Sequence, residues 1–269
     1  MRHLFINILL LLIFMASPAI SAENLAPINE KLYYEADWSG VNFGKIGIEI
    51  NQQADKAEVT CDISSSGIMA LFIKHSSHTT LTASGHNFIY PDRIYESNYF
   101  TRKKARHVKL TYKNNKIAEQ VVEPPDNRDK RPAVPDEDIN FAYDLMSFLL
   151  QMRSEIAAAQ KSGTTEFSIN SYDGRRLTQG DFKISGKKTI KVAGKKYETI
   201  GVTARRKFLA GYTKSEEDDY DPNEPSMTIY FSDDEKLIPL RFEVPLFMQK
   251  ISATLFKRCD KARECLLGN

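Results

Sequence analysis

Apolar and polar positions alternate along most of this chain, and one segment breaks the pattern. Within residues 140–163, Phe141, Leu145, Phe148, Leu149, Met152 and Ile156 recur at three- and four-residue spacing, which sets them on one face of a helix. The spacing predicts a helix over 140–163. Asn140 is placed to cap its start, and Gly163 to end it in the left-handed conformation. Burying those side chains is worth roughly 10–15 kcal/mol gross.

Before that helix the period is two. Leu32, Tyr34, Ala36 and Trp38 alternate with Tyr33, Glu35 and Asp37; Ser39-Gly40 and Gly44 punctuate; Ile46, Ile48 and Ile50 alternate again, as in a hairpin. Val59, Cys61 and Ile63 predict a third strand, and 68–73 an apolar continuation past Gly67. Further strands fall at 94–100, 107–112 and 116–122, the last reached through an Asn114-Asn115 turn. Residues 123–138 carry Pro124, Pro125, Pro132 and Pro135 among charges, which disfavours strand and helix alike. They are expected to form a long surface connection rather than a domain linker, because neither half alone offers a complete core.

After the helix, 165–172, an Asp173-Gly174 turn and 175–184 predict a hairpin. Turns at Gly186 and Gly194 predict two more, with strand over 197–208. An acidic irregular stretch, 215–225, precedes strands at 227–231, 238–244 and 249–256. Strands on both sides of the helix at roughly ten-residue spacing predict a mainly β fold. The expected architecture is a large curled antiparallel sheet, a spiral or open barrel, wrapped around one long α-helix.

Residues 1–22 have the form of a secretory signal peptide. Arg2 gives the positive start, Leu4 to Met15 an apolar run short for a permanent span, Pro18 a break, and Ala19-Ile20-Ser21-Ala22 small residues for cleavage. The first cysteine is Cys61, so no amino-terminal lipidation is expected. Residues 23–269 are then one mainly β domain. Without Arg2, Lys and Arg fall from 37 to 36 against 35 acids, which argues against a dedicated nucleic-acid binder. No second apolar run approaches spanning length, so no integral membrane protein is expected.

Export permits disulfides. Cys259 and Cys265 are close enough for a local bridge, and a bridge from Cys61 to one of them is the alternative. Thr60 and Asp62 offer nothing that would make Cys61 a thiolate.

Candidate chemistry is sparse. Asp219, Asp221 and Asn223 alternate as calcium ligands do, but the turn glycine and the closing acid are missing, so a solvated loop is expected. His75 and His78, with His86 and His107 beyond, lack acidic or thiol partners at ligand spacing, and no metal is expected. There is no Gly-x-Ser-x-Gly elbow, His-Glu-x-x-His helix or phosphate-cradling glycine loop, and Asp233 and Asp234 would point apart on a strand. No catalytic residue and no cofactor emerge. Arg102-Lys103-Lys104, Lys187-Lys188, Lys195-Lys196 and Arg205-Arg206-Lys207 suit either an anionic envelope polymer or plain protection of sheet edges.

Several motifs in order resemble a known family. They are Leu32-Tyr33-Tyr34 with Trp38 and Gly44, Ser64-Ser65-Ser66-Gly67, Tyr90-Pro91, Asp144-Leu145-Met146-Ser147 running to Met152-Arg153, Tyr172-Asp173-Gly174-Arg175-Arg176, and Ser232-Asp233-Asp234 ahead of Leu237-Ile238-Pro239-Leu240. Together they resemble the exported bacterial proteins of the "domain of unknown function 3108" family across most of residues 30–256. The resemblance implies a periplasmic protein of the Gram-negative envelope with a curling antiparallel sheet, and no established activity.

Two functional readings lead, ahead of a third, a hydrolase of unrecognised type, which the missing motifs weaken without excluding. The first is a non-enzymatic periplasmic protein for envelope maintenance, binding a partner protein or an envelope polymer such as peptidoglycan, with Arg205, Arg206, Lys207, Lys187 and Lys188 as contacts. The second is a carrier of a lipid or other hydrophobic ligand, lined by Trp38, Phe72, Phe182, Tyr230 and Phe242 with the helix as plug.

Overall fold

In the computed structural model, which describes residues 27–66, 70, 75–127, 130–222, 225–246, 249–260 and 264–265, the alternating stretches become strands. Those before the helical segment are β1 (Asn29–Trp38), β2 (Val41–Gln52), β3 (Lys56–Ser65), β4 (His75–His86), β5 (Ile89–Thr101), β6 (Ala105–Lys113) and β7 (Lys116–Glu123). Then come helices α1 (Asp136–Ile139) and α2 (Leu145–Ser162), followed by β8 (Glu166–Tyr172), β9 (Leu177–Val192) and β10 (Lys195–Ala210). Helix α3 (Lys214–Asp218) precedes β11 (Met227–Ser232), β12 (Pro239–Leu246), β13 (Gln249–Asp260) and the short β14 (Glu264–Cys265). The expected signal peptide, the apolar stretch at 68–73 apart from Ala70, and Phe72 lie outside the described residues.

Each half is an antiparallel meander, and the two join where β1 pairs β13, from Glu30 opposite Asp260 to Trp38 opposite Ile251. The result is one sheet in the order β7-β6-β5-β4-β3-β2-β1-β13-β12-β11-β10-β9-β8, with β14 on β13. The end strands β7 and β8 share no ladder, so the sheet is open. Side chains nevertheless tie the ends: Tyr172 Oη donates to Gln120 Oε1 at 3.0 Å, and Gln120 Nε2 to the Gly174 carbonyl at 3.0 Å. Gly174, at φ +88°, packs so closely that a Cβ there would lie 2.6 Å from Val108 Cγ1. Tyr143 covers the outer edge of β8 through its backbone: its N–H donates to Asn170 O at 2.9 Å and its carbonyl accepts from Tyr172 N at 2.8 Å.

Helix α2 starts later than the apolar spacing predicts. Asp144, not Asn140, is its N-cap, accepting from Met146 N at 3.0 Å and Ser147 N at 2.9 Å. Asn140 instead ends α1, Phe141 sits in a turn at φ +69° with two-thirds of its surface exposed, and Leu145 is also exposed. The buried face is Met146, Ser147, Leu150, Met152, Arg153, Ile156 and Ala159, so it contains polar residues that an apolar count leaves out. Gly163 does stop the helix, at φ +73°.

Two further expectations change. Gly186 turns no hairpin: it lies within continuous β9 at φ +94°, where the register with β10 slips. The acidic stretch starts with α3, whose Thr213 and Glu216 form a reciprocal capping box. Strand β4 escapes the alternation rule because it is mostly His, Ser and Thr, with Thr79, Leu81 and Ala83 as its buried positions.

The inner side chains fall into two clusters. Tyr34, Leu110, Tyr112 and Leu255 belong to one, and Phe182, Ile200, Val202 and Ile229 to the other. Helix α2 contributes Met146 and Leu150 to the first, Met152 and Ile156 to the second. The gap between helix and sheet bounded by Leu32, Ile50, Met152, Phe231 and Phe242 measures only ≈ 20 Å³. That is about the space of one water molecule.

The proline-rich connection is fastened by charge. Arg131, nine-tenths buried, donates to the Gly211 carbonyl and, at 3.0 Å, to Glu216 Oε1. Glu216 also accepts from Arg176 Nε at 3.0 Å, and Arg175 Nε lies 2.8 Å from Asp126 Oδ1. Partial burial pushes the Glu216 carboxyl up, but Arg131, the Thr213 amide and Arg176 outweigh it and hold the group well below the usual carboxylate range. Gly211, at φ +78°, leaves no room: a Cβ would lie 2.0 Å from the Arg175 carbonyl oxygen.

Candidate functional site

A cleft of ≈ 340 Å³ lies between α2 and the end of the β4–β5 hairpin. The hairpin can turn there because Asn87 and Phe88 take positive φ and because Gly85 has no Cβ, which would lie 1.9 Å from the Ile89 carbonyl oxygen. Phe88 N donates to Ala54 O at 2.9 Å and Gly85 N to Asp55 O at 2.8 Å, docking the turn beside Gln52 at the end of β2. The opposite wall is a helical stripe of Ser147, Leu150, Gln151, Ser154, Ala157, Ala158 and Lys161, at three- and four-residue spacing.

Arg93 forms part of the lining and is almost wholly buried. Its Nη1 donates to the Tyr90 carbonyl at 2.8 Å and to Asn115 Oδ1 at 2.6 Å, and its guanidinium lies 4.3 Å from the Tyr112 ring centroid. Its counter-ion is the cap of α2: Asp144 Oδ2 is 3.4 Å from Arg93 Nε and accepts from Ser147 Oγ at 2.6 Å. One residue thus starts the helix and neutralises the cation. Arg153 is balanced likewise, donating to Glu30, which also accepts from Arg258 Nε at 3.0 Å, and to the Lys236 carbonyl. At the rim Gln151 Nε2 donates to Glu155 Oε1 at 2.7 Å.

Two buried polar atoms of lining residues lack a hydrogen-bond partner: Gln52 Oε1 and Arg93 Nε. Burial pushes the Tyr90 and Tyr143 hydroxyls up, partly offset by Gln52 at Tyr90 and by Arg93 at Tyr143, so both phenols stay protonated at neutral pH. The described lining contains no His or Cys, and its only side-chain carboxylate is Glu155. Such a set offers donors, acceptors and aromatic surface, which suits binding. A shallower depression of ≈ 430 Å³ shares Tyr143, Gln151 and Glu155 and continues past Ser168, Asn170 and Gln179.

The residues singled out from the sequence lie elsewhere. Arg205, Arg206 and Lys207 are exposed on β10; Arg205 and Lys207 share one face, and Arg206 stacks over Phe208 at 5.0 Å. Lys187 pairs with Asp233 at 2.5 Å, and Lys188 lies 5.2 Å from the Tyr230 ring centroid. Lys187 stands opposite Ile200, five residues along β10 from Arg205, or about 17 Å, so the two basic groups are separate patches. Trp38, Phe182, Tyr230 and Phe242 do not line one cavity. Trp38 is 44% exposed at a strand end, Phe182 is buried between Phe148 and Phe167, Phe242 packs edge-on to Tyr34, and Tyr230 is buried.

Cys259 on β13 faces Cys265 on β14 as a register partner, whereas Cys61 is free and buried, its thiol pushed up to about 11 by burial and secondarily by Asp62. His78 Nδ1 meets Asp62 Oδ1 at 2.6 Å across β3 and β4, a partner that sequence spacing does not suggest. Among the described residues no three His, Cys, Asp or Glu side chains converge as metal ligands, and no helix is long and apolar enough to cross a membrane.

The cleft itself was missed from the sequence. Its signals were Gly85, the Tyr90-Pro91 step and the polar stripe on the helix, but only the fold joins Gln52, Arg93 and Ser154.

Comparison with known proteins adds family and fold. No curated protein matches the chain. A crystal structure of a beta-barrel-like protein of domain of unknown function DUF1849 from Brucella abortus is similar over 88% of this chain and 99% of that one, at TM-score 0.59 and 12% identity. A candidate lipoprotein from Parabacteroides distasonis aligns over 84% of this chain and 93% of its own, at TM-score 0.32 and 10% identity. The family model described as "Protein of unknown function (DUF3108)" matches residues 33–255, and the chain belongs to that family.

Proposed function

We propose that this protein is exported to the periplasm and serves the cell envelope by binding, not by catalysis, with the cleft over α2 as its principal contact. The observation that carries this reading is the contrast between the ≈ 340 Å³ cleft and the ≈ 20 Å³ gap inside. Small-molecule sites begin at roughly 300 Å³, so the cleft reaches that size and the interior does not. A lipid carrier would need the hollow inside, between a sheet wrapped about the helix and the helix itself. The filled gap favours the binding reading over the carrier. The basic faces at Arg205 and Lys207, and at Lys187 and Lys188, are secondary contacts for a partner protein or anionic polymer.

Export is supported by Arg2, the apolar run that follows and the small residues up to Ala22. A Cys259–Cys265 bridge fits the same compartment, since the two residues are directly opposed across a ladder. The test is complementation. A null strain with a weakened envelope, judged by detergent sensitivity, is supplied with wild type or with Ser154→Leu, which fills the cleft from an exterior helix position. Rescue by wild type alone, from the periplasmic fraction, is the expected result; equal rescue by both, or cytoplasmic retention, overturns the reading.

A further inference from the structure

We propose that the cleft between α2 and the β4–β5 hairpin binds a neutral, hydroxyl-rich ligand of mono- or disaccharide size. This rests on the cleft being the functional contact, and it adds the ligand class.

Charge decides first. The lining cations are Arg93, Arg153 and Lys161, with Arg258 behind Arg153, and against these four stand four carboxylates: Asp144 on Arg93, Glu30 between Arg153 and Arg258, Asp260 on Arg258, and Glu155 at the rim. The balance is zero, so a phosphate or carboxylate would find no net attraction and would have to face Glu155 and the Gln52 carbonyl oxygen.

Hydrogen-bond capacity decides second. Gln52 is 94% buried by its 6% exposure, and its Oε1 has no partner, so it calls for a donor from the ligand. Arg93 Nε is directed at Asp144 Oδ2, 3.4 Å away, and is taken up by that ion pair. Asn115 spends its carbonyl oxygen on Arg93, which leaves its NH₂ as a donor, and Gln151 spends its NH₂ on Glu155, which leaves its carbonyl oxygen as an acceptor. Donors and acceptors are therefore interleaved. A hydroxyl group both gives and accepts, so a polyol matches such a lining where a phosphate, which only accepts, does not. An acyl chain matches it least, because it would leave these groups buried and unpaired.

Shape decides third. Phe88, Tyr90 and Tyr143 supply aromatic surface for the C–H faces of a sugar ring, and ≈ 340 Å³ lies near the lower end of the roughly 300–1,000 Å³ of small-molecule sites.

The experiment is titration of the mature protein, followed by calorimetry and by amide NMR. The probes are N-acetylglucosamine, its β-1,4-linked dimer, inorganic phosphate and octanoate. The expected result is saturable binding of a saccharide probe that perturbs amides around Gln52 and Asn115. Gln52→Leu should weaken it at least tenfold with only a small fall in the melting temperature of the free protein, since the substitution removes an unpartnered oxygen together with the Gln52 contact at the Tyr90 hydroxyl. Ser154→Leu should abolish it. Binding of phosphate or octanoate in the cleft in place of a saccharide overturns the ligand class while leaving the cleft as a contact. Saccharide binding that both variants leave intact overturns the site. If no probe moves the cleft amides, the ligand class is overturned; if Ser154→Leu also complements fully in cells, the binding reading falls with it.

Discussion

Replacing Arg153 with Met separates the role of buried charge from that of packing in this fold. The Arg153 and Glu30 side chains are 7% and 2% exposed, so neither charge is repaid by water when the pair is broken. Removing one partner of such a pair costs roughly 3–5 kcal/mol. Two features locate the value within that range. Glu30 keeps Arg258 Nε at 3.0 Å, which limits the loss, whereas the Lys236 carbonyl loses its donor. The expected cost is therefore near the lower end, about 3 kcal/mol. In a domain of this size each 1 kcal/mol shifts Tm by about 2–4 °C, so calorimetry should record a fall of about 6–12 °C. Urea unfolding should show a lower midpoint at an unchanged slope. Glu30→Gln and Arg153→Met break the same pair, and Arg258 keeps Asp260, so the double variant should cost about 1–2 kcal/mol less than the sum of the singles, a non-additivity expected only for groups in contact. Arg153→Lys should fall between, because an ammonium cannot span Glu30 and the Lys236 carbonyl as a planar fork does. An Arg153→Met midpoint within about 0.5 kcal/mol of wild type, or a double variant that merely sums the singles, would refute the reasoning.

Three other outcomes are expected. Gly211→Ala should destabilise by at least about 2 kcal/mol or prevent folding, since it adds a Cβ 2.0 Å from the Arg175 carbonyl oxygen at φ +78°; a Tm equal to wild type would contradict the clash. Glu216 has a folded pKa below its unfolded one, so its stabilisation is complete above the unfolded value and is lost as pH falls toward the folded one. Glu216→Gln should accordingly be less stable than wild type at pH 7, with the Tm gap closing below about pH 4; a gap that is constant with pH would show that the carboxylate is not the source. Cys61, with its thiol pushed up to about 11 by burial, should resist maleimide at neutral pH in the native protein and react on unfolding; equally fast labelling of both would place it at the surface.

Much of the sheet is legible in the sequence, because alternation at Leu32, Tyr34 and Ala36, or at Ile46, Ile48 and Ile50, states which side chains point inward. The Asp173-Gly174 turn and the stop at Gly163 are local signals and are found where expected. The start of the helix is not so legible. Phe141 and Leu145 continue the apolar spacing, while the true cap is known by its bonds to Met146, Ser147 and Arg93. The buried face is obscured for a related reason: Arg153 reads as solvent-facing until Glu30, on the first strand, is brought to it. The cleft is the extreme case, since Gln52, Arg93, Asn115 and Ser154 come from different elements and carry no shared motif.

The seam between β1 and β13 sets the order in which this molecule can be completed. Glu30 and Arg258 are 228 positions apart, so a chain still emerging carries a first strand with one side bare until nearly all of it has been made. Contacts that distant form late and slowly. A chain ended before residue 249 would present both β1 and β12 as open templates, and aggregation through those strands is the fate to expect of it.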